Sequence, residues 1–195
     1  MGEIIYDAAT TLNGFIADEE HSLQWLFDAA GSNGEPPPGL MPENPSVYVM
    51  GANTYRWLLD YQPMLDEPEH WREAYGQRPC FVFAHATLPA PEGANIRFVS
   101  GDVAEHLDEI REAAADGDIW VLGGGALAGE FLRAGALDRI CLSIAPAALA
   151  SGAPLLPVTV PPARLRVEEA KIIGPFARVE FRVLPSVEQR PNSAL

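Results

Sequence analysis

The sequence predicts an α/β domain in three layers (α/β/α). It has a mainly parallel central sheet, helices on both faces and a C-terminal antiparallel hairpin. Three observations carry this. Short apolar runs alternate with helix-spaced segments through the middle of the chain, the pattern of parallel strands covered on both sides. The chain has 195 residues, 48% hydrophobic and 21% charged, which suits one domain with a sizeable core. Two strand-like segments flank Gly174-Pro175 near the end, as in a hairpin. One domain is expected over residues 1–185, with 186–195 as a tail.

Ile4–Ala9 is a short apolar run suited to a buried strand, and Asn13-Gly14 within Thr10–Asp18 signals a turn. Leu23–Ala30 has helical spacing, with Leu23, Leu26 and Phe27 on one side. Gly31–Pro45 is rich in Gly, Pro and Asn and reads as a mobile loop that could act as a lid. Val47–Met50 is a second strand, closed by Gly51, and Asn53–Leu59 is helical. Tyr61–Gln77 is polar and proline-interrupted, which predicts a surface excursion. Pro79–Ala84 and Ile96–Val99 are further strands. Asp102–Ala115 is the clearest helix: Val103, Leu107, Ile110 and Ala114 form one apolar stripe, and Asp102 with Glu105 has capping-box spacing. Ile119–Leu122 is a strand, followed by a Gly-Gly-Gly turn and a helix over Ala126–Ala134 that Gly135 ends. Arg139–Ala145 is a strand, Ala150–Pro162 a Gly/Pro-rich loop, and Arg164–Ile173 with Phe176–Leu184 make the closing hairpin.

Composition narrows the function. With 13 basic and 27 acidic residues the formal charge is −14, which excludes a general nucleic-acid binder or a protein held on anionic lipid. A small anionic ligand is not excluded, because helix N-termini and backbone amides bind phosphate without net positive charge. Cys80 and Cys141 lie in apolar runs with no metal-ligand spacing, as buried free thiols do. No signal peptide is evident, and no apolar run approaches the ~20 residues that cross a bilayer. A cytoplasmic protein without metal or membrane partner is expected.

In open parallel sheets, ligands sit beyond the carboxyl ends of the strands. Three segments occupy such places: Gly51-Ala52-Asn53-Thr54-Tyr55, His85-Ala86-Thr87-Leu88 and Gly123-Gly124-Gly125-Ala126-Leu127. The first and third also open a helix, so they can offer unpaired amides to a phosphate. Gly123 to Ala128 satisfies G-x-G-x-x-A, but it comes late in the chain and the next strand carries no acid at its end. It is either a tight turn with close helix–sheet packing or a dinucleotide-contacting turn.

Three segments together resemble the RibD C-terminal family, the reductase domain of the bifunctional riboflavin-biosynthesis deaminase-reductase. They are Thr10-Thr11-Leu12-Asn13-Gly14-Phe15-Ile16-Ala17, Val49-Met50-Gly51-Ala52-Asn53-Thr54-Tyr55, and the stretch from Val121 through the G-A-L-D-R-I run to Pro157. The resemblance implies a dihydrofolate reductase-like fold, NADPH as cofactor, a small-molecule substrate and a homodimer, formed through the C-terminal strands. It implies that Gly51, Asn53 and Thr54 bind the cofactor phosphates. His85 and Thr87 would lie near the adenosine ribose or its 2′-phosphate, and Gly123, Gly124, Gly125, Ala126 and Leu127 would cradle the pyrophosphate. Thr11, Asn13 and Gly14 would sit over the nicotinamide and substrate.

Two positions depart from the family. Ala52 stands where the family usually has Arg, the natural partner of a phosphate, which leaves NADH as an alternative cofactor. Asn13 stands where the family usually has Asp, and Asn cannot donate a proton as an acid does. No zinc-deaminase motif is present. Asp28 on the first helix is the nearest acid candidate, or else a solvated helix residue. Phe15, Trp25, Tyr55 and Leu58 are candidate walls for a flat heterocycle, or else core. The expected reaction is hydride transfer to a small heterocycle or a ribosylamino-pyrimidine. A non-catalytic nucleotide-binding sensor and a dihydrofolate reductase proper stand as alternatives.

Overall fold

The computed structural model describes residues 2–31 and 37–185. The segment 32–36, within the expected lid, and the tail 186–195 lie outside the described residues. Eight strands form one sheet in the order β5-β4-β3-β6-β1-β7-β10-β9. Six are parallel: β1 (Ile4–Thr11), β3 (Val47–Gly51), β4 (Cys80–Phe83), β5 (Ile96–Val99), β6 (Ile119–Gly123) and β7 (Arg139–Ala145). The hairpin of β9 (Leu165–Ile173) and β10 (Phe176–Val183) adds antiparallel strands beside β7. A second, two-stranded sheet pairs β2 (Phe15–Ala17) with β8 (Ala153–Pro154), which lies inside the segment expected to be only loop.

Alternation along the strands divides the core between the two faces. Val47 and Val49 of β3 point toward α4 (Val103–Ala114) and α5 (Gly125–Arg133), where Ile110, Phe131 and Leu132 meet them. Tyr48 and Met50 point the other way, toward α2 (Ala52–Tyr61) and α3 (Glu69–Tyr75). Next to these, α1 (Gln24–Ala30) packs Trp25 against Leu40, Ala145 and Phe176. Both faces are therefore covered, as the continuous apolar runs of the strands require.

Two local expectations change. The polar stretch Tyr61–Gln77 contains α3, whose Trp71 is only 1% exposed. Trp71 and Tyr75 are four residues apart, so both fall on one helix face and close the core over Tyr55 and Tyr48. Pro63 and Pro68, which break the pattern in sequence, both precede the helix, where proline is tolerated. At the start of α4, Asp102 has extended backbone, but its side chain makes no capping hydrogen bond. Instead its carbonyl accepts from the amide of Glu105, 3.1 Å away.

Candidate active site

β6 inserts between β3 and β1, so the strand order turns there and opens a crevice beyond the carboxyl ends of the parallel strands. Two cavities occupy it. The first, of about 600 Å3, lies over β1, β6 and β7 between α1 and α2. The second, of about 480 Å3, lies beyond β3 and β4. Asn53, Thr54, Gly124 and Ala126 line both, so the cavities meet at the starts of α2 and α5.

The glycine turn makes this junction. A Cβ on Gly125 would stand 2.3 Å from the carbonyl oxygens of both Pro154 and Leu155, and one on Gly123 would stand 2.9 Å from Thr54 Oγ1. These residues are glycine because neighbouring backbone and side chain approach too closely for anything else. Gly124 differs: it is joined to Gly123 by a cis peptide bond, and nothing lies within 4 Å of its Cβ position. A side chain there would project into open space. Gly123 and Gly125 line the first cavity, and Leu127 the second. Gly51 and His85 also line the second cavity, whereas Thr87 is exposed and lines neither.

Thr11, Asn13 and Gly14 form a knot beside the site rather than part of its lining. Thr11 Oγ1 donates to Asn13 Oδ1 (2.9 Å) and accepts from the amide of Phe15 (3.0 Å). Asn13 Nδ2 donates to the Leu149 carbonyl, and the Gly14 carbonyl accepts from Leu155 N. The knot ties the first turn to the loop that crowds Gly125. At this position an amide serves where an acid would not, because it donates to one backbone group and accepts from another.

Five other expected site residues lie elsewhere. Asp28 is exposed, accepts from the Gln24 side chain (2.8 Å) and does not line either cavity. Tyr55 and Leu58 point into the core shared with α3, and the Tyr55 hydroxyl donates to the Pro89 carbonyl. Trp25 is buried against Phe176, and Phe15 lies outside the lining while its neighbour Ile16 is in it.

The aromatic wall is made instead by Phe27, Trp57 and Tyr61. Their rings are stacked: Trp57 and Tyr61 have centroids 4.8 Å apart, Phe27 and Tyr61 5.2 Å. Asn53, Trp57 and Tyr61 recur every four residues on one face of α2, so helical spacing from Asn53 identifies this face.

The cavity floor holds a polar cluster that sequence reasoning missed. Asp7 and Ser143, on neighbouring strands β1 and β7, line it from below. Arg178 of β10 donates to both carboxylate oxygens of Asp7 (2.7 and 2.5 Å), to Ser143 Oγ and to the Leu40 carbonyl. Burial pushes the Asp7 carboxyl up to about 6, even though the Arg178 guanidinium pulls it down. Arg178 loses hydration too, but its bonds to Asp7 hold it charged. Burial also pushes both cysteine thiols well above the ordinary range. Among the described residues no group of three or more His, Cys, Asp or Glu could hold a metal ion, and no helix is long and apolar enough to cross a membrane.

The mostly parallel eight-stranded sheet with helices on both faces is a dihydrofolate reductase-like fold. The sequence matches the model of the RibD C-terminal domain over residues 3–175, and the chain belongs to that family. It is 23% identical over 175 residues to YwjB of Bacillus subtilis (strain 168), a protein described as uncharacterized, covering 89% of this chain and 93% of YwjB. A putative riboflavin biosynthesis protein from Shewanella sp. PV-4 superposes with TM-score 0.69 at 21% identity, over 95% of this chain and 100% of that one. Dihydrofolate reductase from Enterococcus faecalis, complexed with NADP(H), superposes with TM-score 0.56 at 11% identity, over 94% and 98%.

Proposed function

We propose that this chain is a reductase that binds a reduced nicotinamide dinucleotide across both cavities and reduces a small planar heterocycle in the first. The observation that carries this reading is the open junction at Gly124, where two cavities meet at two helix starts. A dinucleotide needs that shape: a middle held by backbone amides and a pocket at each end. The unpaired amides at the starts of α2 and α5 would hold the pyrophosphate. The bound cofactor would supply the hydride. The chain's own residues orient and enclose the reactants: Phe27, Trp57 and Tyr61 exclude water on one side, and Trp120 and Leu122 form part of the floor. Among the described residues Asp7 is the carboxyl of that lining, and with burial holding it near 6 it can carry a proton close to neutral pH.

Among the described residues no lysine or arginine lines the first cavity. A phosphoribosyl substrate would find no cation there, so the geometry favours an uncharged heterocycle over the phosphorylated ribosylamino-pyrimidine. A dihydrofolate reductase proper, whose acid would have been Asp28, gains no support from an exposed carboxylate outside the cavity.

Trp57 and Trp120 line the first cavity and report on it. Titration with NADPH is expected to quench tryptophan fluorescence and to saturate at micromolar concentration. No change with NADPH or NADH up to about millimolar, where binding is worth only about 4 kcal/mol, overturns the reading. The reading includes a homodimer joined at the C-terminal strands, where Val167 and Ile172 of the edge strand β9 are 58% and 77% exposed. Sedimentation should then give twice the chain mass; a species of 21.1 kDa removes the dimer from the proposal.

A further inference from the structure

Arg56 has no part in the site described so far. It stands on α2 four residues after Ala52, hence on the same helix face. Helical side chains lean toward the helix N-terminus, and Arg56 does so: Nη1 donates to the side-chain oxygen of Asn53, 3.2 Å away. Its guanidinium therefore lies over the first turn of α2, in the wall of the second cavity with His85, Ser100 and Glu130.

Its charge is uncommitted. Arg97, Arg139, Arg166, Arg178 and Arg182 each pair with a carboxylate, but Arg56 forms no ion pair among the described residues. Among the described residues it is the permanent cation of the second cavity's lining, and Glu130 is the carboxylate. In a chain of net charge −14 the overall field repels a dianion, so a phosphate in this cavity needs a local cation. A guanidinium suits it, since its planar fork can give two parallel hydrogen bonds to phosphate.

We propose that Arg56 selects between the two nicotinamide dinucleotides, taking the 2′-phosphate of NADPH in the second cavity. Asn53 orients it through the bond already present. Glu130 has the opposite preference, because a carboxylate accepts a hydrogen bond from a free ribose 2′-hydroxyl and repels a 2′-phosphate. The proposal rests on the cofactor reading above.

The test titrates the full chain with NADPH and NADH, by tryptophan quenching, in wild type and in Arg56→Gln. Arg56 is exposed, and matching melting curves establish that the variant folds. Wild type is expected to bind NADPH at least about tenfold tighter than NADH. Arg56→Gln should weaken NADPH about ten- to hundredfold and change NADH less than about twofold. Adding Ala52→Arg to that variant, one turn back on the same face, should restore the preference. Equal affinities in wild type, or equal losses of both ligands in the variant, overturn the role of Arg56 while the cofactor reading stands. If wild type binds neither dinucleotide, the cofactor reading falls and this inference falls with it.

Discussion

Replacing Arg178 with alanine is expected to lower the unfolding free energy by about 3–5 kcal/mol, the range for breaking a buried ion pair from one side. Asp7 and Arg178 are 171 residues apart in sequence, and both side chains are almost wholly buried. The substitution strips the Asp7 carboxylate of two charge-assisted bonds and leaves Ser143 Oγ and the Leu40 carbonyl without this donor. Urea denaturation at pH 7 measures the loss, and a change below about 1 kcal/mol, typical of exposed pairs, would contradict it. The pH dependence gives a second check. In the native protein the Asp7 carboxyl titrates near 6, above its ordinary value of 3.8. Its contribution to stability is therefore fully present below 3.8 and lost as pH rises through about 6. Without Arg178 the folded carboxyl is harder still to ionise. The deficit against wild type should be largest above pH 7 and shrink as pH falls below about 6. The double variant Asp7→Leu/Arg178→Met removes both charges at once and should recover much of the loss.

Gly124→Asp is expected to leave the fold intact and weaken NADPH binding by more than about a hundredfold, as a carboxylate set against a pyrophosphate should. Gly124 has φ −82° and ψ 176°, a conformation open to any L-residue, and its Cβ position meets nothing within 4 Å. The new side chain therefore projects into the junction of the two cavities. Gly125→Ala makes the contrast, because its Cβ would press on two carbonyl oxygens at 2.3 Å; stability should fall along with binding. Titration and melting curves for both variants separate a blocked ligand site from a damaged fold. Unchanged NADPH affinity in Gly124→Asp would refute the cradle.

Much of the sheet was legible because each buried strand is a short apolar run and each connection carries its own punctuation. Val47–Met50, Ile119–Leu122 and Arg139–Ala145 each match an observed strand to within one residue. Gly135 ends α5 with φ 68°, as its position suggested. The helix α3 was hidden by its composition. Trp71 and Tyr75 stand among charged residues, and only packing against Tyr48 and Tyr55 turns that short stretch into core. Element strength follows local pattern when a segment buries one continuous stripe. It escapes local reading when a few large side chains do the burying.

The same division runs through the candidate site. Glycine after a strand and before a helix states its role locally, since backbone geometry and unpaired amides are properties of adjacent residues. The side chains that wall the cavities depend on which face of each helix meets the sheet. On α2 the cavity side carries Asn53, Trp57 and Tyr61, while Tyr55 and Leu58 turn to the core. The sequence by itself determined the parallel α/β architecture, the glycine turn after β6 and the place of the crevice, because these follow from local periodicity and chain punctuation. Only the tertiary structure decided the Asp7–Arg178–Ser143 floor, the stacked wall and the place of Arg56 beside His85, Ser100 and Glu130 in the second cavity. Each joins groups whose approach is set by strand order and helix rotation, which no short stretch of sequence encodes.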